Sequence, residues 1–331
     1  MSLHRWIPIP GRGRITLALL AVVPATMAYP WRSAWDKWLL GGAVAVVIVL
    51  FGCWRGLYLT TIARRRLAIM VRPNVFDPDP VPMKTTALVR VGAPDGDADG
   101  LPLPLIAQYL DRYGIRADKI RITSRDNASD ASRRETWIGL TISAVDNLAA
   151  LQARSPQIPL HETAQVAVRR LVDHLREIGW EATTVAPDDV PRLLTSNARE
   201  RWAAVQCGAS DYVAAYQIRA DTTLPQTLDA IRSYPVRETC TALEIAGDGT
   251  RPTVAAACAF LTDTPPGRTP PVAGLTAERG NHLPALHALD LLATRRLDGY
   301  TDAPADLLAR LYWPTPAGGA HRAPLAGTAT T

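Results

Sequence analysis

Two uncharged apolar runs set eight residues apart constrain this chain more than any other feature. The first is Ile15–Tyr29, interrupted only by Thr16, Pro24 and Thr26, and the second runs from Trp38 to Trp54. Each reads as a helix. At 15 and 17 residues they fall a little short of the ~20 that cross a hydrocarbon core, and flanking residues make up the difference. Gly56–Leu59 prolong the second run and Arg55 can snorkel, so the expected membrane helices are 15–29 and 38–59. Arg12 and Arg14 before a short apolar core also fit a secretory signal peptide, but a second run so close behind favours a helical hairpin.

The flanks give the hairpin a direction. Trp31, Trp35 and Trp38 gather around the connector, and Trp54 closes the second run, as aromatic residues do at a bilayer interface. Arg5, Arg12 and Arg14 precede the first run, and Arg55, Arg64, Arg65, Arg66 and Arg72 follow the second. The connector offers only Arg32 and Lys37 against Asp36. The positive-inside bias therefore places residues 1–14 and everything after the second helix in the cytosol. Gly52 and Gly56 form a G-x-x-x-G spacing that would admit a neighbouring helix closely.

The net charge of +5 divides unevenly along the chain. Residues 1–76 carry ten Arg or Lys against one acid, leaving 26 bases against 30 acids in residues 77–331. The basicity belongs to the membrane flank, and no groove for nucleic-acid phosphates is indicated. Cys53, Cys207, Cys240 and Cys258 show no C-x-x-C spacing, so neither a disulfide framework nor a zinc site is implied.

Residues 60–84 hold the basic segment and a stiff Pro-rich linker, PNVFDPDPVP. A domain at 85–315 follows, with a flexible tail at 316–331. Ala87–Val91, Lys119–Thr123 and Thr136–Val145 alternate like strands, with a short one near Thr183–Ala186. Pro104–Tyr113 and Glu162–Ile178 have helical apolar spacing. The same order recurs. Tyr212–Ile218, Thr241–Ile245 and Thr253–Phe260 read as strands, Leu224, Leu228 and Ile231 form a helical stripe, and His282–Leu297 reads as a helix. At an offset of 121, Leu103-Pro104 matches Leu224-Pro225, Tyr113-Gly-Ile-Arg116 matches Tyr234-Pro-Val-Arg237, and His161 falls on His282. The expectation is an α+β domain made by duplicating a βαββα unit, in halves 85–186 and 205–303, with helices on one face of a mainly antiparallel sheet.

Chemistry is sparse. The chain has no G-K-S/T phosphate loop and no G-x-S-x-G nucleophile motif. Asp95, Asp97 and Asp99 alternate like the first half of a calcium loop, but Ile106 stands where a bidentate Glu is needed, so an acidic turn is the simpler reading. His161-Glu162 lacks a second histidine, and His282 and His287 diverge around a helix. His174 is expected on the wet face among Arg169, Arg170 and Asp173. No residue is nominated as catalytic, cofactor-binding or metal-ligating. The candidate functional residues are the membrane-interface set Trp31, Trp35, Trp38, Trp54, Arg55, Arg64, Arg65 and Arg66.

The chain resembles EccE, the membrane component of mycobacterial type VII (ESX) secretion systems. The resemblance rests on Tyr29-Pro30-Trp31, Trp38, the run Trp54-Arg55-Gly56 through Thr60-Thr61 to Arg64-Arg65-Arg66, and the ending Leu311-Tyr312-Trp313-Pro314. It implies a non-catalytic, multi-pass inner-membrane subunit without a cofactor, assembling with EccB, EccC and EccD components in the lipid bilayer, with EccC supplying the ATPase. The alternatives are a membrane-tethered enzyme using Asp97 and Asp99, or a sensor binding a small molecule between the two halves.

Overall fold

The computed structural model describes residues 12–314 apart from 28–33, 52, 55–56, 72–82, 95–99, 128–129, 154–157, 196, 209, 248–250 and 305. The chain divides into two units, residues 1–73 and 74–331.

In the first unit, α1 (Arg12–Met27) packs against α2 (Ala34–Phe51) with Ala25 and Ala43 buried between them. Small side chains let the two backbones approach. β1 (Cys53–Trp54) and β2 (Leu57–Tyr58) then pair antiparallel, and α3 (Leu59–Val71) carries the arginine triplet. This corrects the expected second helix, which ends at Phe51 rather than at Leu59. Among the described residues no helix is long and apolar enough to cross a membrane. With 16 and 18 residues, α1 and α2 measure about 24 and 27 Å at ~1.5 Å per residue, against roughly 30 Å of hydrocarbon.

The second unit is an α+β domain. Its first half contains β3 (Lys84–Pro94), α4 (Leu103–Ala107), β4 (Asp111–Arg112), β5 (Ile115–Asn127), β6 (Asp130–Ser143), α5 (Leu148–Gln152), α6 (Leu160–Glu177) and β7 (Trp180–Val185). β8 (Arg199–Glu200), β9 (Val205–Cys207), β10 (Asp211–Ile218), α7 (Leu224–Arg232), β11 (Glu238–Gly247) and β12 (Pro252–Thr262) come next. β13 (Leu275–Ala277), α8 (His282–Leu289), β14 (Thr301–Asp302) and α9 (Leu307–Arg310) complete it. One antiparallel sheet runs β7-β3-β6-β5-β11-β12-β10-β9-β8, with β13 beside β10 and β14 beside β12. The halves meet along β5 and β11, paired from Glu238 opposite Asn127 to Ala246 opposite Lys119.

Strand alternation sends side chains to two faces. Ile120, Ile122, Leu243, Ile245, Val254 and Ala256 line the first. Against it lies α6, whose Val168, Leu171, Val172 and Leu175 recur at helical spacing while Arg169, Asp173 and Glu177 stay exposed. The helix stops where Gly179 takes φ 84, and its N–H reaches back to the Arg176 carbonyl at 3.0 Å. Cys240, Ala242, Ala255 and Ala259 line the second face and are covered by Leu286 and Leu289 of α8. The expectation of helices on a single face is therefore corrected: α6 and α8 lie on opposite faces.

The expected helix His282–Leu297 is corrected too, because α8 ends at Leu289. The chain beyond it serves a buried ion cluster instead of continuing its own hydrogen bonds. Glu244 on β11 is 0% exposed and sits opposite Arg121 on β5, with Lys119 nearby. Arg121 Nε donates to Glu244 Oε2 at 2.6 Å, and Lys119 Nζ lies 3.2 Å from the same oxygen. The remaining guanidinium protons go to the carbonyls of Ala288, Asp290 (3.0 Å) and Arg295 (2.9 Å), and Lys119 also donates to Arg295 O. The second carboxylate oxygen accepts from Leu297 N at 2.9 Å and from the Tyr300 hydroxyl. Arg296 then reaches Asp118 at 2.8 Å, as does Lys84 at 3.0 Å. Residues 288–300 are thereby strapped across the sheet.

The electrostatics follow from burial. Burial alone raises the Glu244 carboxyl, but Arg121 and Lys119 outweigh it and hold the group below the usual carboxylate range. Burial first, and Arg121 second, pull the Lys119 ammonium down to about 7 from 10.5. Between those values the unfolded chain binds the proton that the folded chain has released, so this group makes stability climb with pH across that window. Lys119→Met should flatten the rise in unfolding midpoint measured between neutral and alkaline pH. Glu244→Ala, leaving two buried cations without their counter-ion, should cost about 3–5 kcal/mol in chemical denaturation. The double change Arg121→Met with Glu244→Met should cost less than the sum of its single changes.

Candidate functional site

The most unusual backbone in the domain is the turn between β4 and β5. Arg112 pairs with Ile115, leaving a two-residue loop, Tyr113-Gly114, with φ 58 and 71. Positive φ at both positions is what a type I′ hairpin requires, and Asn-Gly or Gly-Gly normally supply it. A tyrosine held there costs on the order of 1–3 kcal/mol. The consequence is a ring that is 53% exposed, with the Arg112 guanidinium 5.1 Å and the Arg170 guanidinium 4.5 Å from its centroid. Ile158, two residues before α6, is a second strained position with φ 51.

Tyr113 lines a cavity of about 170 Å³ between the hairpin and α6, as does Pro159, the residue after Ile158. Ile115, Ala117, Leu140, Val166 and Ala167 give it apolar walls. Tyr109 closes it beneath, edge-on to Tyr113 at 6.4 Å, its hydroxyl 3.0 Å from Arg170 O and 3.2 Å from His174 Nδ1. Burial pushes the Tyr109 phenol above its ordinary value, keeping it a proton donor. Arg112 can only donate, so His174 Nδ1 accepts from it at 3.1 Å. His174 is therefore half-buried against Tyr109 rather than placed on the wet face. Among the described residues neither Arg112 nor Arg170 pairs with a carboxylate. Two cations without a carboxylate partner thus stand over a mainly apolar hollow, whose lining also includes Glu162 and Thr163, and such a site is suited to binding. The sequence carries one signal for this site, the Tyr113-Gly114 pair between strands, which by itself marks a turn and not a cavity.

Among the described residues, none of those expected from sequence at the membrane interface lines this cavity. Trp38 projects from α2 with 78% exposure, Trp35 lies on the same helix and Trp54 on β1. Arg64, Arg65 and Arg66 stand on α3, the first and last exposed. Trp31, Arg55, Asp95, Asp97 and Asp99 lie outside the described residues. His161 and His282 both open helices, but His161 is exposed, whereas His282 is buried with Nδ1 accepting from Ala215 N at 3.1 Å. Cys240 and Cys258 are buried free thiols on opposite sheet faces, both raised by burial. Among the described residues no group of three or more His, Cys, Asp or Glu is arranged to hold a metal ion.

A family model described as "Putative type VII ESX secretion system translocon, EccE" matches residues 130–218, from β6 to the end of β10. The chain is 64% identical over 319 residues, 96% of each chain, to the "ESX-3 secretion system protein EccE3" of Mycobacterium tuberculosis (strain CDC 1551 / Oshkosh). The protein of that name from strain H37Rv is 63% identical over the same share. The one from Mycolicibacterium smegmatis is 45% identical over 287 residues, 86% of this chain and 90% of that one. Identity of this extent over nearly the whole chain means that the chain belongs to the EccE family.

Proposed function

We propose that this chain is a non-catalytic subunit of an ESX-3-type secretion complex, anchored in the inner membrane by α1 and α2 with the sheet domain in the cytosol. The observation that carries the reading is the 64% identity over 96% of both chains to a protein named for that system. EccB, EccC and EccD components and the lipid bilayer are its proposed partners, and no nucleic acid is involved.

The anchor is supported by what the hairpin leaves outside. Leu19, Leu20 and Met27 on α1 and Val44, Ile48 and Val49 on α2 are exposed, an apolar surface that water does not favour. Spans this short fit a bilayer that thins or whose interface residues snorkel. The arginine excess around residues 1–14 and 55–72 sets the direction. The duplication within 85–315 is supported by register. Ile122 pairs with Leu243, the residue 121 positions on, and outward from that pair the order reads β5, β6, β3 on one side and β11, β12, β10 on the other. The halves 85–186 and 205–303 would then share an ancestor and differ in where the last helix packs.

Two short spans bury little specific surface against neighbours in lipid. The domain is thus the main source of specificity, and the anchor raises its local concentration. Co-purification with the other membrane subunits tests this. Deleting residues 1–72 should weaken incorporation, and deleting residues 85–315 should abolish it. Full retention of the anchor alone would overturn the reading. Orientation is checked separately: Ser33→Cys should react with an impermeant thiol reagent from outside the inner membrane, and a reporter fused after Trp313 should behave as cytosolic.

A further inference from the structure

Six large apolar side chains of the domain are exposed toward one end of it: Met83, Tyr113, Val145, Leu148, Ile158 and Val166. Backbone and side-chain bonds hold this end together. Ala144 N donates to Met83 O at 2.7 Å, and Asn147 Oδ1 accepts from Arg116 N at 2.8 Å. The concave part of this surface is the cavity beneath Tyr113.

We propose that this cavity receives one apolar side chain of a partner protein, on a segment that also presents a carboxylate to Arg112 and Arg170. The size sets the first half of the claim. A cavity of about 170 Å³ is close to the ~150 Å³ apolar hollow that takes a benzene ring, so it fits a single Leu, Ile or Phe side chain. The charge sets the second half. Arg112 and Arg170 converge on the exposed Tyr113 ring without a described carboxylate partner, so an acid arriving beside the anchor would gain two donors already positioned by the ring. Exposed aromatic and arginine side chains around a pocket are the groups that carry interface energy. A concave hollow sized for one side chain favours a protein anchor over a bilayer, which offers a flat fluid face. The strained φ of Tyr113, which lines the hollow, fits a rim kept open for an occupant.

The inference rests on the chain acting as an assembly subunit, and the test separates the two. Val166, exposed at the rim, is replaced by p-benzoylphenylalanine in the full-length chain in its own membrane. After illumination the complex is purified and the linked segment mapped by mass spectrometry. The expected product joins position 166 to a subunit segment that has an apolar residue within four positions of an Asp or Glu. Arg112→Glu with Arg170→Glu should lower its yield about tenfold or more. Reversing the mapped acid to Lys should restore the yield. Ala167→Phe, which fills the hollow, should also abolish the link. Cross-links to lipid, to a second copy of this chain, or to a segment indifferent to charge reversal would each overturn the proposal. If the complex co-purifies without any link at 166, the pocket fails and the subunit reading stands. If nothing co-purifies, both fall.

Discussion

Glu244 holds a full charge where no water reaches, and much of the domain is arranged so that this is tolerable. An isolated buried carboxylate would neutralise itself by taking up a proton. Here Arg121 from the neighbouring strand, Lys119, Leu297 N and the Tyr300 hydroxyl surround it, while the surplus donors of the two cations turn to the carbonyls of Ala288, Asp290 and Arg295. A central strand pair, the end of α8 and the eleven residues of irregular chain between it and β14 are thus tied to a single point. Such clusters contribute less to net stability than to fixing one arrangement out of several, because removing any member strands the others.

That point also explains the asymmetry of the sheet. On the face of Ile122 and Leu243, hydrophobic side chains meet amphipathic helices, and the buried polar groups there are neutral ones such as Ser124, which bonds Thr136 and accepts from Trp313 Nε1. On the other face small residues such as Ala242, Ala255 and Ala259 leave room for a short helix and the strap behind it. The same strand alternation that separates the two cores places Lys119, Arg121 and Glu244 together, because β5 and β11 are in register there.

The proposed work of the protein suits this construction. A subunit that contributes recognition needs a surface whose side chains are already in place when a partner arrives, since ordering them on contact would consume binding free energy. The Tyr113 hairpin is built on the rigid start of β5, and α6 is pinned along its whole apolar stripe, so the hollow between them is set by packed elements on both sides.

The amphipathic period of α6, the alternation in β5, β6, β10, β11 and β12, the apolar hairpin and the +121 correspondence were all legible in the sequence. Each depends on neighbours a few residues apart, or on a comparison of the chain with itself. Family membership was legible for the same reason, through runs such as Trp54-Arg55-Gly56 and Leu311-Tyr312-Trp313. What the sequence left open were events settled at long range. Helix α8 stops early because carbonyls near Asp290 find Arg121, 169 residues before it. It covers the second face because β13 first pairs with β10. His174 leaves the solvent because Tyr109 and Arg112, more than sixty residues earlier, come to meet it. Local patterning chose the elements, their order and the apolar helical hairpin near the start of this protein. Only the tertiary structure decided where its charges are buried and where the strained Tyr113 is exposed, since both depend on which distant backbone atoms a side chain finds once water has gone.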